Sequence, residues 1–313
     1  MEYRNLGNSG LKVSALGLGA NNFGWWIDEQ SSAAVINHAL EIGINYIDTA
    51  DMYDKGRSEE YIGRTLKGRR KEVLIATKFA AVMGEGINDK GGSRAYMMRA
   101  VEASLNRLNT DYIDLYQMHY PDPTTPIEET LRTLDDLVKA GKVRYIGCSN
   151  FAGWQLSEAL WTSCFNHLNA FVTVQMKYNL FERHIEQELV PCCKAHGVGV
   201  IPWGPLAGGF LTGKYRRGEQ PPAPATGSAP AKAFHRLYNS IITDANWERL
   251  GKLDAFAKTH GYKVAELAIA WLLSHPWISS VIAGATTPQQ LESNVTGASL
   301  KLTLEEVAQL EQI

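Results

Sequence analysis

Eight short runs rich in β-branched and aromatic residues recur along 313 residues, and each is followed by a stretch with helical periodicity. That order of strand then helix is what a parallel sheet with crossover helices requires. The fold class predicted is therefore α/β. A count of eight units within about 300 residues favours a closed (β/α)8 TIM barrel over a doubly wound open sheet. A leading segment, Tyr3 to Val13 with Asn8-Ser9-Gly10 at its turn, reads as an N-terminal β-hairpin placed to plug the barrel's bottom. Residues 1–313 are expected to form one domain.

The strands are expected at Ser14 to Gly19, Ile44 to Asp48, Val73 to Lys78, Tyr112 to His119, Val143 to Ser149, Phe171 to Gln175, Gly199 to Trp203 and Ser280 to Gly284. Between them, Met98, Val101, Leu105 and Leu108 form one apolar helical stripe, and Ile127, Leu131, Leu134 and Val138 form another. Thr125-Pro126-Ile127-Glu128 reads as an N-cap, a first-turn proline and a capping-box glutamate. From Arg216 to Lys232 the chain is dense in proline, glycine, alanine and charge, which predicts a loop long enough to cover a ligand. With the helix stripes turned to the barrel, no distinctive exposed stripe is left to indicate an oligomer.

Hydrophobic residues at 45% and charged residues at 20% supply a core and exclude disorder. A net charge of -2 excludes the basic field that nucleic acid or an anionic membrane surface needs. Cys148, Cys164, Cys192 and Cys193 lack C-x-x-C spacing, and Met1 to Gly10 lacks an apolar signal core. No run approaches 18 apolar residues, so a cytoplasmic protein without membrane spans is expected. The sequon Asn294-Val295-Thr296 is discounted for want of a secretory context.

Three motifs fail. Gly17-Leu18-Gly19 opens like a dinucleotide fingerprint, but Phe23 stands near the third glycine's place and no helix opens there. Gly208 to Lys214 has phosphate-loop spacing, yet Tyr215 replaces the Ser or Thr that would hold magnesium. The histidines show no metal-ligand spacing, and Ser149 lacks the G-x-S-x-G elbow. No metal is expected.

In a barrel of this kind, strand-end polar residues converge on one face. Asp48, Tyr53, Lys78 and His119 all lie at or just after strand ends, so four titratable groups are expected in one pocket. A lysine closing an apolar strand needs a counter-charge, which Asp48 on the neighbouring strand supplies. A phenol beside that ammonium is expected to become a better acid, suited to protonating a developing alkoxide. A structural ion pair and a sugar-phosphate isomerase using Lys78 and His119 remain alternatives at this point.

The sequence resembles the aldo-keto reductases, in the branch of bacterial reductases and potassium-channel beta subunits. The residues that carry the resemblance are Ile47-Asp48-Thr49-Ala50-Asp51-Met52-Tyr53, Ala76-Thr77-Lys78 and Gln117-Met118-His119. It implies that Tyr53 is the general acid, that Lys78 and Asp48 tune it, and that His119 positions a small carbonyl substrate. It also implies an extended NADPH. Asn21 and the amide clamp Ser149, Asn150 and Gln175 would meet the nicotinamide, Trp203 would stack on it, and Gly204, Leu206 and Lys214 would meet the phosphates. Gly284, Thr286, Gln290 and Asn294 would hold the adenosine end. Gly204 departs from the usual serine. Gly284 and Gln290 stand where many members place Lys and Arg on the 2'-phosphate, which leaves NADH open as the cofactor. The second functional reading is a cofactor-binding, redox-sensing regulatory subunit with little turnover.

Overall fold

The computed structural model describes residues 1–213, Tyr215, Arg217 and 241–313. Lys214 and all of the expected 216–232 loop except Arg217 lie outside the described residues. β1 (Tyr3–Asn5) pairs antiparallel with β2 (Lys12–Ser14). Then β3 (Leu16–Gly19), β4 (Tyr46–Asp48), β5 (Leu74–Phe79), β6 (Ile113–Met118), β7 (Val143–Ser149), β8 (Thr173–Lys177), β9 (Gly199–Trp203) and β10 (Val281–Gly284) form a closed parallel barrel. β10 closes it by pairing with both β9 and β3. Each expected run overlaps one barrel strand, with the sixth displaced by two residues.

The helices among the described residues are α1 (Glu29–Glu41), α2 (Arg57–Thr65), α3 (Arg94–Leu108), α4 (Ile127–Lys139), α5 (Gly153–Phe165), α6 (Leu189–His196), α7 (Asp244–His260), α8 (Val264–Leu273), α9 (Pro288–Ser299) and α10 (Leu304–Glu311). No helix among them is long and apolar enough to cross a membrane. The strands bury side chains on both faces, which splits the core in two. Outward residues such as Ile47, Ile75 and Tyr116 pack against helices. Inward Tyr46, Ala76, Leu115, Ile201 and Ile282 fill the lower barrel together with Leu6 and Val13 of the hairpin. The hairpin is thus the expected plug.

Two locks hold that plug. Gly7 has φ +56°, and a Cβ there would lie 2.0 Å from the Val172 carbonyl oxygen, so only glycine fits the approach. Its amide donates to Ser279 Oγ at 2.9 Å.

Two expectations are corrected. α4 starts at Ile127 with Pro126 as its cap, and Thr125 does not cap it, because Thr125 Oγ1 donates to Asp122 Oδ2 at 2.8 Å inside the preceding turn. An exposed stripe does exist on α5. Small or compact Leu156, Ala159 and Ser163 face the barrel there, while Trp154, Trp161 and Phe165 point outward, 62%, 64% and 85% exposed. Their spacing of seven and four residues aligns them on one side.

Candidate active site

The period-two alternation of a strand continues upward from the apolar floor and turns polar at the C-terminal ends. Two residues above Tyr46 stands Asp48, above Ala76 stands Lys78, above Leu115 stands Gln117 and above Ile201 stands Trp203. The register makes neighbours of the upper layer, pairing Lys78 with Gln117 and Ser149 with Gln175. Side chains from many strands therefore meet in one polar layer over one apolar layer.

Lys78 is fully buried, and its Nζ lies 2.6 Å from Asp48 Oδ2. Nζ also donates to the Thr49 carbonyl at 2.8 Å and to Tyr53 Oη at 3.5 Å. Asp48 Oδ1 accepts from Gln175 Nε2 at 2.7 Å and from Gln117 Nε2 at 3.2 Å. Burial works against the ammonium, but Asp48 and Tyr53 more than offset it and leave the Lys78 pKa raised. For Tyr53 burial dominates. The phenol is pushed above its usual value, with Lys78 pulling the other way. The expected gain in acidity is thus outweighed by desolvation, and the cation limits the rise.

Tyr53 sits on a tight loop after β4. Its amide donates to the Ala50 carbonyl at 3.2 Å, and Asp54 and Lys55 then take left-handed φ of 47° and 55°. Gly56, at φ +95°, lets Arg107 pass, since a Cβ would come within 2.5 Å of its Cδ. α2 begins there, fixing the loop's far end.

His119 follows β6 and stands edge-on to Tyr53, ring centroids 5.9 Å apart. It stacks on Tyr120 at 4.5 Å, and Trp25 approaches Tyr53 from another side at 6.0 Å. Burial, and then the Lys78 charge, hold the imidazole well below its ordinary pKa, so it is neutral at neutral pH. Its Nδ1 is buried without a hydrogen-bond partner.

Ser149, Asn150, Gln175, Trp203, Gly204 and Leu206 stand near or after the ends of β7, β8 and β9. Ser149 Oγ donates to the Gln175 carbonyl at 3.0 Å. Asn150, at φ +60°, donates from Nδ2 to the His119 carbonyl at 2.9 Å and to Ser149 Oγ at 3.1 Å. Gln175 is tied to Asp48, so the amide shelf and the ion pair are one network. Trp203 is half-buried under Lys177 Nζ, 5.8 Å from its ring centre. Gly204 takes φ +67° and its carbonyl accepts from Asn179 Nδ2 at 3.0 Å, and Leu206 follows at the start of a short 3-10 turn.

At the other end, Gln290 Oε1 accepts from the Thr286 amide at 2.9 Å and from its Oγ1 at 3.1 Å. Asn294 is buried with Nδ2 unpartnered. A Cβ on Gly284 would lie 2.9 Å from Asn22 Nδ2 and 3.3 Å from Asn21 Oδ1. Asn21 and Gly284 are thereby brought together, and the Asn22 amide would have to move aside for a side chain at position 284.

An aldo/keto reductase family model matches residues 15–313. The chain belongs to the aldo/keto reductase family. Over its whole length it is 38% identical to a probable voltage-gated potassium channel subunit beta of Oryza sativa subsp. japonica, covering 96% of that protein. It is also 36% identical to versiconal hemiacetal acetate reductase of Aspergillus parasiticus, covering 96%, and 34% identical to L-glyceraldehyde 3-phosphate reductase of Escherichia coli O157:H7, covering 92%, in both cases over the whole of this chain. This aldo/keto reductase is an oxidoreductase of that family.

Some residues of the site escaped the sequence reading. Gln117 was visible only as part of the block ending in His119, although its position two residues before His119 puts it on the same inward face. The Thr49 carbonyl is a backbone partner that no side-chain pattern marks.

Proposed function

We propose that this aldo/keto reductase reduces aldehydes or ketones to alcohols with NAD(P)H, Tyr53 giving the proton to the carbonyl oxygen. The observation that carries this reading is the buried relay in which Asp48 holds Lys78 at 2.6 Å and Lys78 reaches Tyr53 Oη at 3.5 Å. A raised phenol pKa keeps the proton on Tyr53 until an alkoxide develops, and the Lys78 cation then stabilises the phenolate left behind. Neutral His119, edge-on to Tyr53, donates one N–H to the same oxygen and orients it. Asp48 keeps Lys78 charged.

The residues present fit a nicotinamide cofactor. The unpartnered Asn294 Nδ2 offers a buried donor at the adenosine end. Asn21, Ser149, Asn150 and Gln175 would hold the carboxamide side, Trp203 would cover the ring, and Gly204 and Leu206 would meet the pyrophosphate. Gly284, Thr286 and Gln290 would line the adenosine pocket. When bound, the cofactor supplies the hydride. No cation stands among Gly284, Thr286, Gln290 and Asn294, so NADPH and NADH are both proposed.

The likeness to the rice protein named as a probable channel subunit favours a second reading, a cofactor-binding regulatory subunit with little turnover. Steady oxidation of NADPH or NADH across a panel of aldehydes and ketones separates the two. The reductase reading expects turnover that Tyr53→Phe lowers by about 10²- to 10⁴-fold. Activity retained in Tyr53→Phe overturns the proton donor, and tight cofactor binding without turnover in the native chain favours the regulatory reading.

A further inference from the structure

Beside the loop that carries Tyr53 lies a second buried group of acids and phenols that the reaction above does not use. Glu59 of α2 is fully accounted for, because it accepts from Thr77 Oγ1 at 2.5 Å and from Arg107 Nε at 2.7 Å. Arg107 thereby pairs directly with Glu59. Asp51, two residues before Tyr53, is just as buried but has no cation of its own. Its Oδ1 has no hydrogen-bond partner, and its Oδ2 lies 3.3 Å from Tyr96 Oη.

The Tyr96 hydroxyl faces two acceptors. Tyr96 Oη also lies 3.1 Å from the carbonyl oxygen of Ala81. A phenol has one proton and a carbonyl has none, so an ionised Asp51 would leave two acceptors competing for one donor. With the proton on Asp51 the chain closes: Asp51 Oδ2 donates to Tyr96 Oη, and Tyr96 Oη donates to Ala81. A neutral carboxyl also makes the orphaned Oδ1 far less costly than an orphaned carboxylate oxygen.

We propose that Asp51 is held as the neutral acid and that its proton, relayed through Tyr96, ties the Tyr53 loop to the loop after β5, which makes Asp51 a positioning residue for Tyr53. The role in turnover rests on the proposed reductase function, while the protonation state does not. The surroundings agree with it. Burial and Glu59 push the Asp51 carboxyl up to about 8, against Arg107, the Met52 amide and the Tyr96 hydrogen bond. On the remaining sides the group faces Tyr116 of β6 and the Lys78 carbonyl of β5, which accepts the Asp51 amide at 3.2 Å, and Asp89 acts on Tyr96.

The test starts with a carbon-detected NMR titration of the side-chain carboxyls of the full chain, with Asp51→Asn assigning the signal. Asp51 is expected as the acid at pH 7, titrating near 8, and a carboxylate at pH 7 overturns the proposal whether or not any carbonyl compound is turned over. The second measurement is kcat/KM against pH. The native chain is expected to fall about tenfold from pH 7 to pH 9, whereas Asp51→Asn, whose amide N–H replaces the acid O–H and cannot ionise, is expected to lose that limb. The same alkaline limb in Asp51→Asn overturns the positioning role. Should that variant not fold, Tyr96→Phe serves: it is expected to lower kcat severalfold at pH 7, and native activity in it overturns the role.

Discussion

Lys78 Nζ stands 2.6 Å from Asp48 Oδ2 with both side chains essentially withdrawn from water, 0% and 3% exposed. Neither charge is tolerable without the other, because a lone buried ion pays desolvation with no Coulombic return. Asp48→Asn is therefore expected to cost about 3–5 kcal/mol of stability, read from urea midpoints at constant m. Adding Lys78→Met to it should recover part of the loss. A single variant as stable as the native chain would show that water or another carboxylate compensates the lysine.

His119 predicts an acid limb in stability. Its folded pKa is depressed while its unfolded value is about 6.5, so below that pH the unfolded chain takes up a proton that the folded chain refuses. Stability is fully present above about pH 6.5 and falls as the pH drops beneath it. Thermal midpoints of the native chain and His119→Gln, compared between pH 7 and pH 5, should converge as this contribution is lost. Parallel curves would contradict a neutral, buried imidazole.

At the proposed adenosine end, Thr286, Gln290 and Asn294 carry neutral side chains. Gln290→Arg places a guanidinium where a 2'-phosphate would be met, and it is expected to shift the NADPH over NADH preference in kcat/KM by about tenfold or more. Gly284→Lys is expected to shift the preference less, since its Cβ would lie 2.9 Å from Asn22 Nδ2 and the amide must first swing aside. Equal effects of the two substitutions would argue against this assignment of space.

The plug gives a prediction about stability alone. Gly7→Ala combines a positive φ with a Cβ driven onto the Val172 carbonyl, so a loss of more than about 1 kcal/mol is expected. Because the site lies at the opposite end of the strands, KM for the carbonyl substrate should stay unchanged, and a raised KM would show that the floor transmits strain upward.

How far the site was legible depended on which physical signal wrote it. Asp48, Lys78 and His119 lie at or beside the ends of strands whose alternation is plain, and Tyr53 follows within one loop, so their convergence could be read from period two and an eight-fold count. Gln117 obeys the same alternation but is neutral, and a neutral residue on an inward face raises no question about a counter-charge. Asp51, Glu59 and Tyr96 were less legible still, for their meeting depends on how α2 and α3 pack behind β5, which no local pattern encodes. The acidity of Tyr53 was read with the cation's sign alone, and burial, a property of the closed barrel, reversed the net direction. The stripe of Trp154, Trp161 and Phe165 was hidden for a related reason: aromatic periodicity says that a helix has a face, and only packing says which side it turns.

Leu6 and Val13 leave the lower mouth of the barrel dry, each with no exposed surface. Among the described residues the barrel is consequently a well closed at its lower end. In the proposed chemistry, a phenolate at Tyr53 regains its proton through the same mouth by which alcohol departs and the next carbonyl compound arrives. Proton resupply and product egress then share one route, so bulk-water isotope effects and viscosity effects on turnover should appear together.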